Sequence, residues 1–338
     1  MVVHIFLFKR VARIISCTLT TVIAFLYFSP FCISACAAEP DREAAAAKMT
    51  RGLYNFESEI DMSGCGVTPQ NVGEIFIFVI KNDPYLFFVS TKLSYIYKSD
   101  GKMTVFPKYT MSADEAAKAI LFCKSEVGRM ASAVDPRMSD AEKALFVHDL
   151  ICAEFSYDLT YTLADMSGFL SGRMGTCQGY TWTYMAVLRE LSIECCYVAS
   201  DTINHIWNMV KIDGEWYHCD LTWDDGGEMR DRRHFLCSDK KAIELGHRDW
   251  YSAYGEACPS EKYDTADMSA LTHDLYSGDA DHSGKTELYD LLSVTVGNDE
   301  SFCQMCADVN GDLVCDGHDA DALRDKLLGI NCVVLSMM

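Results

Sequence analysis

The Asp213-Gly214 pair constrains the fold of this 338-residue chain more than any other feature. An Asp-Gly pair between two runs of alternating apolar residues is a strong signal for a two-residue β-hairpin. Pairing outward from this turn sets Trp207 against Asp220 and His205 against Thr222. Because successive side chains of a strand point to opposite faces, His205 and Asp220 share one face as diagonal neighbours. The hairpin alone therefore predicts an imidazole and a carboxylate close together.

A cysteine stands upstream of this hairpin, at the start of a helical pattern. Residues 180–191 form a largely apolar run that indicates a core-packed helix, and Cys177 precedes it in a Gly-flanked turn or first helical turn. The positive end of a helix dipole favours a thiolate at this place. Cys177, His205 and Asp220 thus supply a nucleophile, a general base and an orienting carboxylate. The backbone N–H of Cys177 is the first candidate for an oxyanion donor.

A structural role for the cysteine is the alternative. The chain has 16 Cys and 9 His, so some Cys/His pairs will look suggestive by chance. A buried, inert thiol is also the usual role of a cysteine. The combination of a helix start, a hairpin and an aspartate favours catalysis by Cys177. His148 and His247 are expected to be structural, whereas His218, on the hairpin face of Asp220, is open to a structural or a cleft-lining role.

Three segments resemble the bacterial transglutaminase-like (papain-like cysteine peptidase) superfamily. They are G-T-C-Q-G-Y at 175–180, H-I-W-N at 205–208 and D-G-E-W-Y-H-C-D-L-T-W-D-D at 213–225. The likeness extends roughly over residues 45–258, and residues 234–239 resemble the strand that follows the Asp in this family. It implies an α+β, papain-like core in which a Cys-bearing helix packs on an antiparallel sheet. It also assigns the nucleophile to Cys177, the general base and acid to His205, and the orienting role to Asp220.

The resemblance implies a secreted cysteine peptidase or amide-acyl transferase that works through a thioester. Water would complete hydrolysis of a protein or peptide substrate, whereas a second amine would complete a crosslinking transglutamination. The triad is common to both, and hydrolysis is favoured because the sequence shows no lysine-binding tunnel. A non-catalytic scaffold component with a vestigial triad is the remaining alternative.

Two acidic segments near the C-terminus repeat one pattern. Residues 279–290 and 308–319 carry oxygen-bearing side chains at positions 1, 3, 5, 9 and 12, and position 7 would ligate through its carbonyl, as in an EF-hand Ca²⁺ loop. The candidate ligands are Asp279, Asp281, Ser283, Lys285, Glu287 and Asp290 in the first loop, and Asp308, Asn310, Asp312, Val314, Asp316 and Asp319 in the second. Position 6 is Gly284 in the first loop but Leu313 in the second, so the second site is expected to be weaker.

This duplicated loop resembles a dockerin, a small α-helical, EF-hand-like module, here over residues 278–332. The resemblance implies two bound Ca²⁺ ions and, as partner, the cohesin domain of a cellulosome-type scaffoldin. Residues 259–277 are polar and form the predicted linker, and residues 320–328 form a short segment after the second loop.

The N-terminus indicates export. Basic residues, an apolar stretch and Ala35-Cys36-Ala37 predict a secretory signal peptide over residues 1–37, with a lipobox at Cys36 as the alternative. Secretion is therefore expected, with no stable membrane span. The net charge of −20 argues against nucleic-acid binding.

The remaining pattern divides residues 38–258 into an N-terminal α+β region, 38–110, and a catalytic core, 111–258. Residues 85–90 and 93–97 are predicted strands, and 72–79 favours a strand but could be helical. Amphipathic periodicity predicts helices over 112–132 and 139–154.

Overall fold

The computed structural model describes residues 23–26, 40–225, 232–264, 309 and 317–327. The first half contains β1 (Ile23–Leu26), α1 (Pro40–Tyr54), β2 (Ile60–Asp61), α2 (Val72–Asn82), β3 (Leu93–Tyr97), β4 (Met103–Phe106), α3 (Ala113–Ser132), α4 (Asp140–Glu154), β5 (Ser156–Tyr157) and α5 (Met166–Gly172). It is followed by β6 (Met174–Gly175), α6 (Cys177–Glu190), β7 (Cys195–Ser200), β8 (His205–Ile212), β9 (Glu215–Cys219), α7 (Leu221–Asp224), α8 (Asp239–Glu244), β10 (Trp250–Ser252) and α9 (Gly317–Leu327). In this part of the chain, no helix has the length and apolar character needed to cross a bilayer.

An antiparallel sheet of order β1-β3-β4-β2 belongs to the N-terminal region. Its strand β3 confirms the prediction for 93–97. Residues 72–79, favoured as a strand, are instead the helix α2. The reason is their spacing, since the buried residues include Val72, Ile75, Phe76 and Val79, which fall on one helical face. Strand β1 lies inside the segment predicted as a signal peptide.

The predicted strand over 85–90 is wrong. These residues form turns, with a single bridge between Val89 and Tyr109. The preceding Asp83 accepts a hydrogen bond from the backbone N–H of Tyr85 at 3.0 Å, and the N–H of Leu86 is bonded to the carbonyl of Asp83. Hydrogen bonds within the turn thus use the backbone N–H groups that pairing with a neighbouring strand would need.

Capping boxes fix the starts of α3 and α4. Ser112 and Glu115, and likewise Ser139 and Glu142, exchange side-chain to backbone hydrogen bonds at the two N-termini. These helices confirm the predictions for 112–132 and 139–154. They pack with α5 and α6 around a large apolar core that includes Phe146, which is 3% exposed.

The second antiparallel sheet has the order β10-β7-β8-β9 and carries the predicted hairpin. Asp213 and Gly214 have φ values of 52° and 86°, as a tight primed turn requires. Asn208 lies opposite Cys219, which is the predicted register. Helix α6 packs on β8, where the hydroxyl of Thr181 donates to the carbonyl of Ile206 at 3.1 Å.

The predicted strand over 234–239 is also wrong. It contributes one bridge, between His218 and Cys237, and α8 begins at Asp239. The backbone N–H of His234 is bonded to the carboxylate of Asp224, and the hydroxyl of Ser238 caps α8. Side-chain acceptors therefore replace the strand ladder along this segment.

The predicted calcium loops fall almost wholly outside the described residues. Asp319 belongs to α9, and the other candidate ligands are not among the residues that the structure describes. Helix α9 overlaps the segment 320–328 that was expected after the second loop.

Candidate active site

Cys177 is the first residue of α6, and its thiol is partly exposed. The preceding Thr176 makes no side-chain cap. Since the first N–H groups of a helix have no acceptor within that helix, those of Cys177 and Gln178 are suited to a developing oxyanion. Close packing holds this end of the helix, because a Cβ added at Gly179 would lie 2.5 Å from the Phe169 ring.

His205 and Asp220 meet at the open end of the hairpin. His205 begins β8, and its Nε2 lies 2.7 Å from Oδ2 of Asp220. Strand β9 ends at Cys219, so the predicted pairing of His205 with Thr222 is wrong. Asp220 instead caps α7, and its Oδ1 accepts the N–H groups of Thr222 at 3.1 Å and Trp223 at 3.3 Å. The cap orients the carboxylate towards His205.

His205 is bonded to Asp220 and lines the same cleft as Cys177. Burial disfavours a charged His205, but the Asp220 carboxylate and a hydrogen bond with Cys177 outweigh burial and raise the pKa of His205 to about 10. Because Nε2 faces Asp220, Nδ1 is the ring nitrogen left for the thiol. Burial would raise the pKa of Asp220, yet its contacts with His205 and His247 hold that pKa well below its usual range. The neutral imidazole can thus receive a proton beside the sulfur, and the imidazolium can return it.

His247 is a site residue, although the sequence predicts only a structural role for it. Its Nε2 lies 2.8 Å from the same Oδ2 of Asp220. Its ring lies between those of Trp207 and Trp223, at centroid distances of 4.6 and 4.1 Å. It follows Asp220 by 27 positions, outside the hairpin, and no local pattern marks it.

His218 is structural and is not part of the cleft lining. It is 1% exposed, and its Nδ1 accepts the indole N–H of Trp207 at 3.0 Å. Its Nε2 therefore carries the proton and donates to Asp239 at 2.9 Å. Burial lowers the pKa of His218, which favours this neutral ring. These hydrogen bonds, from Trp207 through His218 to Asp239, brace the hairpin beside His205.

Two groups of side chains in the described residues have metal-ligand spacing. They are His205, Asp220 and His247, and His218, Asp239 and Cys258. In the second group, the Trp207 contact leaves the proton on Nε2 of His218, so that nitrogen has no lone pair for a metal. In the first group, both imidazoles donate to the carboxylate, which suits an orienting role.

A buried charged network lies next to α7. His148 contacts Asp149 through Nδ1 at 3.0 Å and Asp224 through Nε2 at 3.1 Å. Burial opposes its charge, but these carboxylates raise the pKa of His148 to about 9. Arg232 pairs with Asp149, and His234 Nδ1 bonds Asp224 at 2.8 Å. The network fixes the end of α7 and thereby the cap formed by Asp220.

A cleft of about 500 Å³ opens over the thiol and the imidazole. Aromatic side chains form much of its wall. Its lining includes Lys81, Phe87, Tyr157, Tyr161, Cys177, Trp182, Ser200, Asp201, His205 and Tyr251. The structure thus brings all three predicted catalytic residues together at one accessible cavity, since Asp220 lies directly behind His205.

Comparison with known proteins gave one family match and a solved structure of low similarity. Residues 128–221 match the family model described as the transglutaminase-like superfamily. A solved structure described as "Crystal structure of a TGase" is similar over 42% of this chain and 45% of that chain, with 14% identity and a TM-score of 0.29. This chain therefore spans less than half of that protein. The search of curated proteins gave no match. By the family match, residues 128–221 form a domain of the transglutaminase-like superfamily.

Proposed function

We propose that this protein is a cysteine peptidase or amide-acyl transferase whose nucleophile is Cys177. The observation that carries the proposal is the position of His205, which lines the same cleft as Cys177 and whose Nε2 lies 2.7 Å from the Asp220 carboxylate. A cysteine with a purely structural role would need neither His205 nor Asp220 beside it. The superfamily match supports the same class of chemistry.

The proposed first step is attack of the Cys177 thiolate on an amide carbonyl. The N–H groups at the start of α6 stabilise the oxyanion, and His205 gives its Nδ1 proton to the departing amine. A thioester remains on Cys177. Water then attacks the thioester and gives up a proton to the neutral His205, which releases the acid and restores the pair. Asp220 holds the imidazole and stabilises its charged form.

Hydrolysis is the proposed second step because the mouth of the cleft is open to solvent. Tyr161, which borders the cleft, is 67% exposed, so water has access to a thioester. Transfer to an amine, as in a crosslinking transglutaminase, uses the same thioester and differs only in the acceptor.

A peptide-library digest with added dansylcadaverine tests both steps. We expect hydrolysed peptides in excess over amine adducts, and the loss of both in Cys177→Ala. Cys65→Ala is the matched control, because Cys65 is also a partly exposed thiol but does not line the cleft. Turnover by Cys177→Ala at the wild-type rate would refute the nucleophile, and a majority of amine adducts would assign transglutamination.

We further propose that the protein is secreted and is tethered to a cohesin-bearing scaffold by a Ca²⁺-dependent dockerin. Support comes from the signal-peptide pattern, from the duplicated loops at 279–290 and 308–319, and from α9, which begins inside the second loop pattern. Metal ligation would offset the repulsion between clustered carboxylates and so fold the module. Chelation by EDTA should release the protein from the scaffold and leave hydrolysis of small peptides unchanged. Undiminished scaffold binding in EDTA would contradict the tether.

A further inference from the structure

A lysine with an incomplete set of hydrogen bonds lines the cleft that contains Cys177. Lys81 belongs to the last turn of α2, and its Nζ lies 3.1 Å from the hydroxyl of Tyr251. An ammonium group has three donors. Among the residues that the structure describes, the Tyr251 hydroxyl is its one hydrogen-bond partner, and no carboxylate forms an ion pair with it. Two donors therefore remain for a ligand.

Two aromatic rings and a nearby aspartate form the surroundings of this ammonium. Nζ lies 5.6 Å from the ring centroid of Tyr197 and 5.4 Å from that of Tyr251. Such contacts stabilise a cation but leave its N–H groups unsatisfied. Burial lowers the pKa of Lys81, and the charge of Asp201 partly offsets burial. A bound anion would stabilise the charged form of Lys81 and so offset the effect of burial on its pKa.

The backbone of Lys81 is tied to the helix that carries the nucleophile. The indole N–H of Trp182 donates to the Lys81 carbonyl at 3.3 Å, and Trp182 follows Cys177 by five positions in α6. At 1.5 Å per residue this is roughly 7.5 Å along the helix axis. Lys81 and Cys177 therefore lie on two packed helices that line the same cleft.

The other charges of the cleft do not neutralise Lys81 by direct contact. Asp83 accepts hydrogen bonds from Tyr54 and Tyr85, and Asp165 caps α5. Lys81 is the only lysine or arginine among the described residues that line the cleft.

We propose that Lys81 binds a carboxylate of the substrate, in the same cleft as the carbonyl that Cys177 attacks. The inference rests on the proposed function and names its substrate class, an acidic peptide. A structural tie between α2 and β10 through Tyr251 explains the contact of Lys81 but not its two remaining donors.

Affinity labels test this subsite without any need for amide turnover. One pair is acetyl-Asp-Gly-chloromethyl ketone and its Asn counterpart, which place the carboxylate on the acyl side. The other is iodoacetyl-Gly-Asp-amide and its Asn counterpart, which place it on the leaving side. In each case the Cys177 sulfur displaces halide. Mass spectrometry of the Cys177 peptide measures the labelling rate at low reagent concentration.

We expect the acid to label Cys177 about tenfold faster than the amide in at least one pair, as a single charged hydrogen bond allows. Lys81→Met, which keeps the apolar stem, should reduce that ratio to about one. Asp201→Asn should increase the ratio, because it removes the competing charge. Lys118→Met is the matched control, since it makes the same change of charge on the exposed surface of α3.

A ratio near one in both wild-type pairs, or a ratio unchanged in Lys81→Met, would overturn the subsite. Failure of the proposed function looks different, because then neither member of a pair labels Cys177 selectively. In that case calorimetry with acetyl-Asp-Gly-amide and acetyl-Asn-Gly-amide decides the subsite, and equal affinities would rule it out.

Discussion

His247 and His205 donate hydrogen bonds to the same oxygen of Asp220, Oδ2, at 2.8 and 2.7 Å. An ionised carboxylate only accepts, so both rings present Nε2–H to it. The other oxygen receives two backbone N–H groups of α7. Asp220 is therefore held by four donors while it is 1% exposed, and His247 is a positioning residue for His205.

The first prediction is that His247→Phe weakens catalysis through Asp220. Loss of one hydrogen bond to a buried carboxylate costs about 1.5–3 kcal/mol, or roughly ten- to hundredfold in rate. The pKa of Asp220 should rise, so the acidic limb of the pH profile for Cys177 alkylation should move to higher pH. Tyr217→Phe is the control, because it also removes one side-chain hydrogen bond, but to Ser260 and not to Asp220. A shift of equal size in the control would show a general structural effect.

The second prediction concerns stability and pH. Asp220 and Cys177 outweigh burial and raise the pKa of His205 to about 10, whereas the unfolded value is about 6.5. Between these values the unfolded chain loses a proton that the folded chain keeps. His205 should therefore contribute its full stabilisation below pH ~6.5, and the free energy of unfolding should fall as pH rises towards ~10. His148, with a pKa of about 9, makes stability depend on pH in the same direction. Urea unfolding across this range should show a shallower fall in His205→Gln, and an unchanged slope would contradict the assignment.

The third prediction concerns the packing beneath the nucleophile. A Cβ at Gly179 would lie 2.5 Å from the ring of Phe169, so Gly179→Ala must displace that ring or the start of α6. We expect a loss of about 1–3 kcal/mol in stability, together with slower alkylation of Cys177. Gly128→Ala in α3 meets no atom within 4 Å and should stabilise by about 0.5–1 kcal/mol. Thermal unfolding of both variants measures the contrast, and equal effects would argue against the clash.

The fourth prediction concerns calcium. The loop at 279–290 should bind Ca²⁺ more tightly than that at 308–319, because Gly284 suits the sharp turn at position 6 and Leu313 does not. Leu313→Gly should raise affinity at the second loop by roughly tenfold, if a left-handed residue costs about 1–2 kcal/mol there. Calorimetric titration of the full chain decides this, and two equal wild-type sites would contradict the ranking.

Several features of the fold could be predicted from the sequence because their causes are local. The Asp213-Gly214 turn determines the register of β8 and β9, and the Ser139/Glu142 capping box determines the start of α4. The same locality explains why Cys177 was placed at a helix start and His205 near Asp220, since two neighbouring strands and one turn suffice for that pair.

Tertiary structure decided the rest. Residues 72–79 suit either a strand or a helix, and burial of one helical face selected the helix. Residues 234–239 were predicted as a strand, but the Asp224 carboxylate removed a donor from that ladder. His247 reaches Asp220 across 27 positions and His148 reaches Asp224 across 76. Such contacts depend on how separate elements pack, and no local pattern in the chain encodes them. The sequence therefore indicated the groups that we propose as catalytic, whereas only packing decided which buried charges hold them in place.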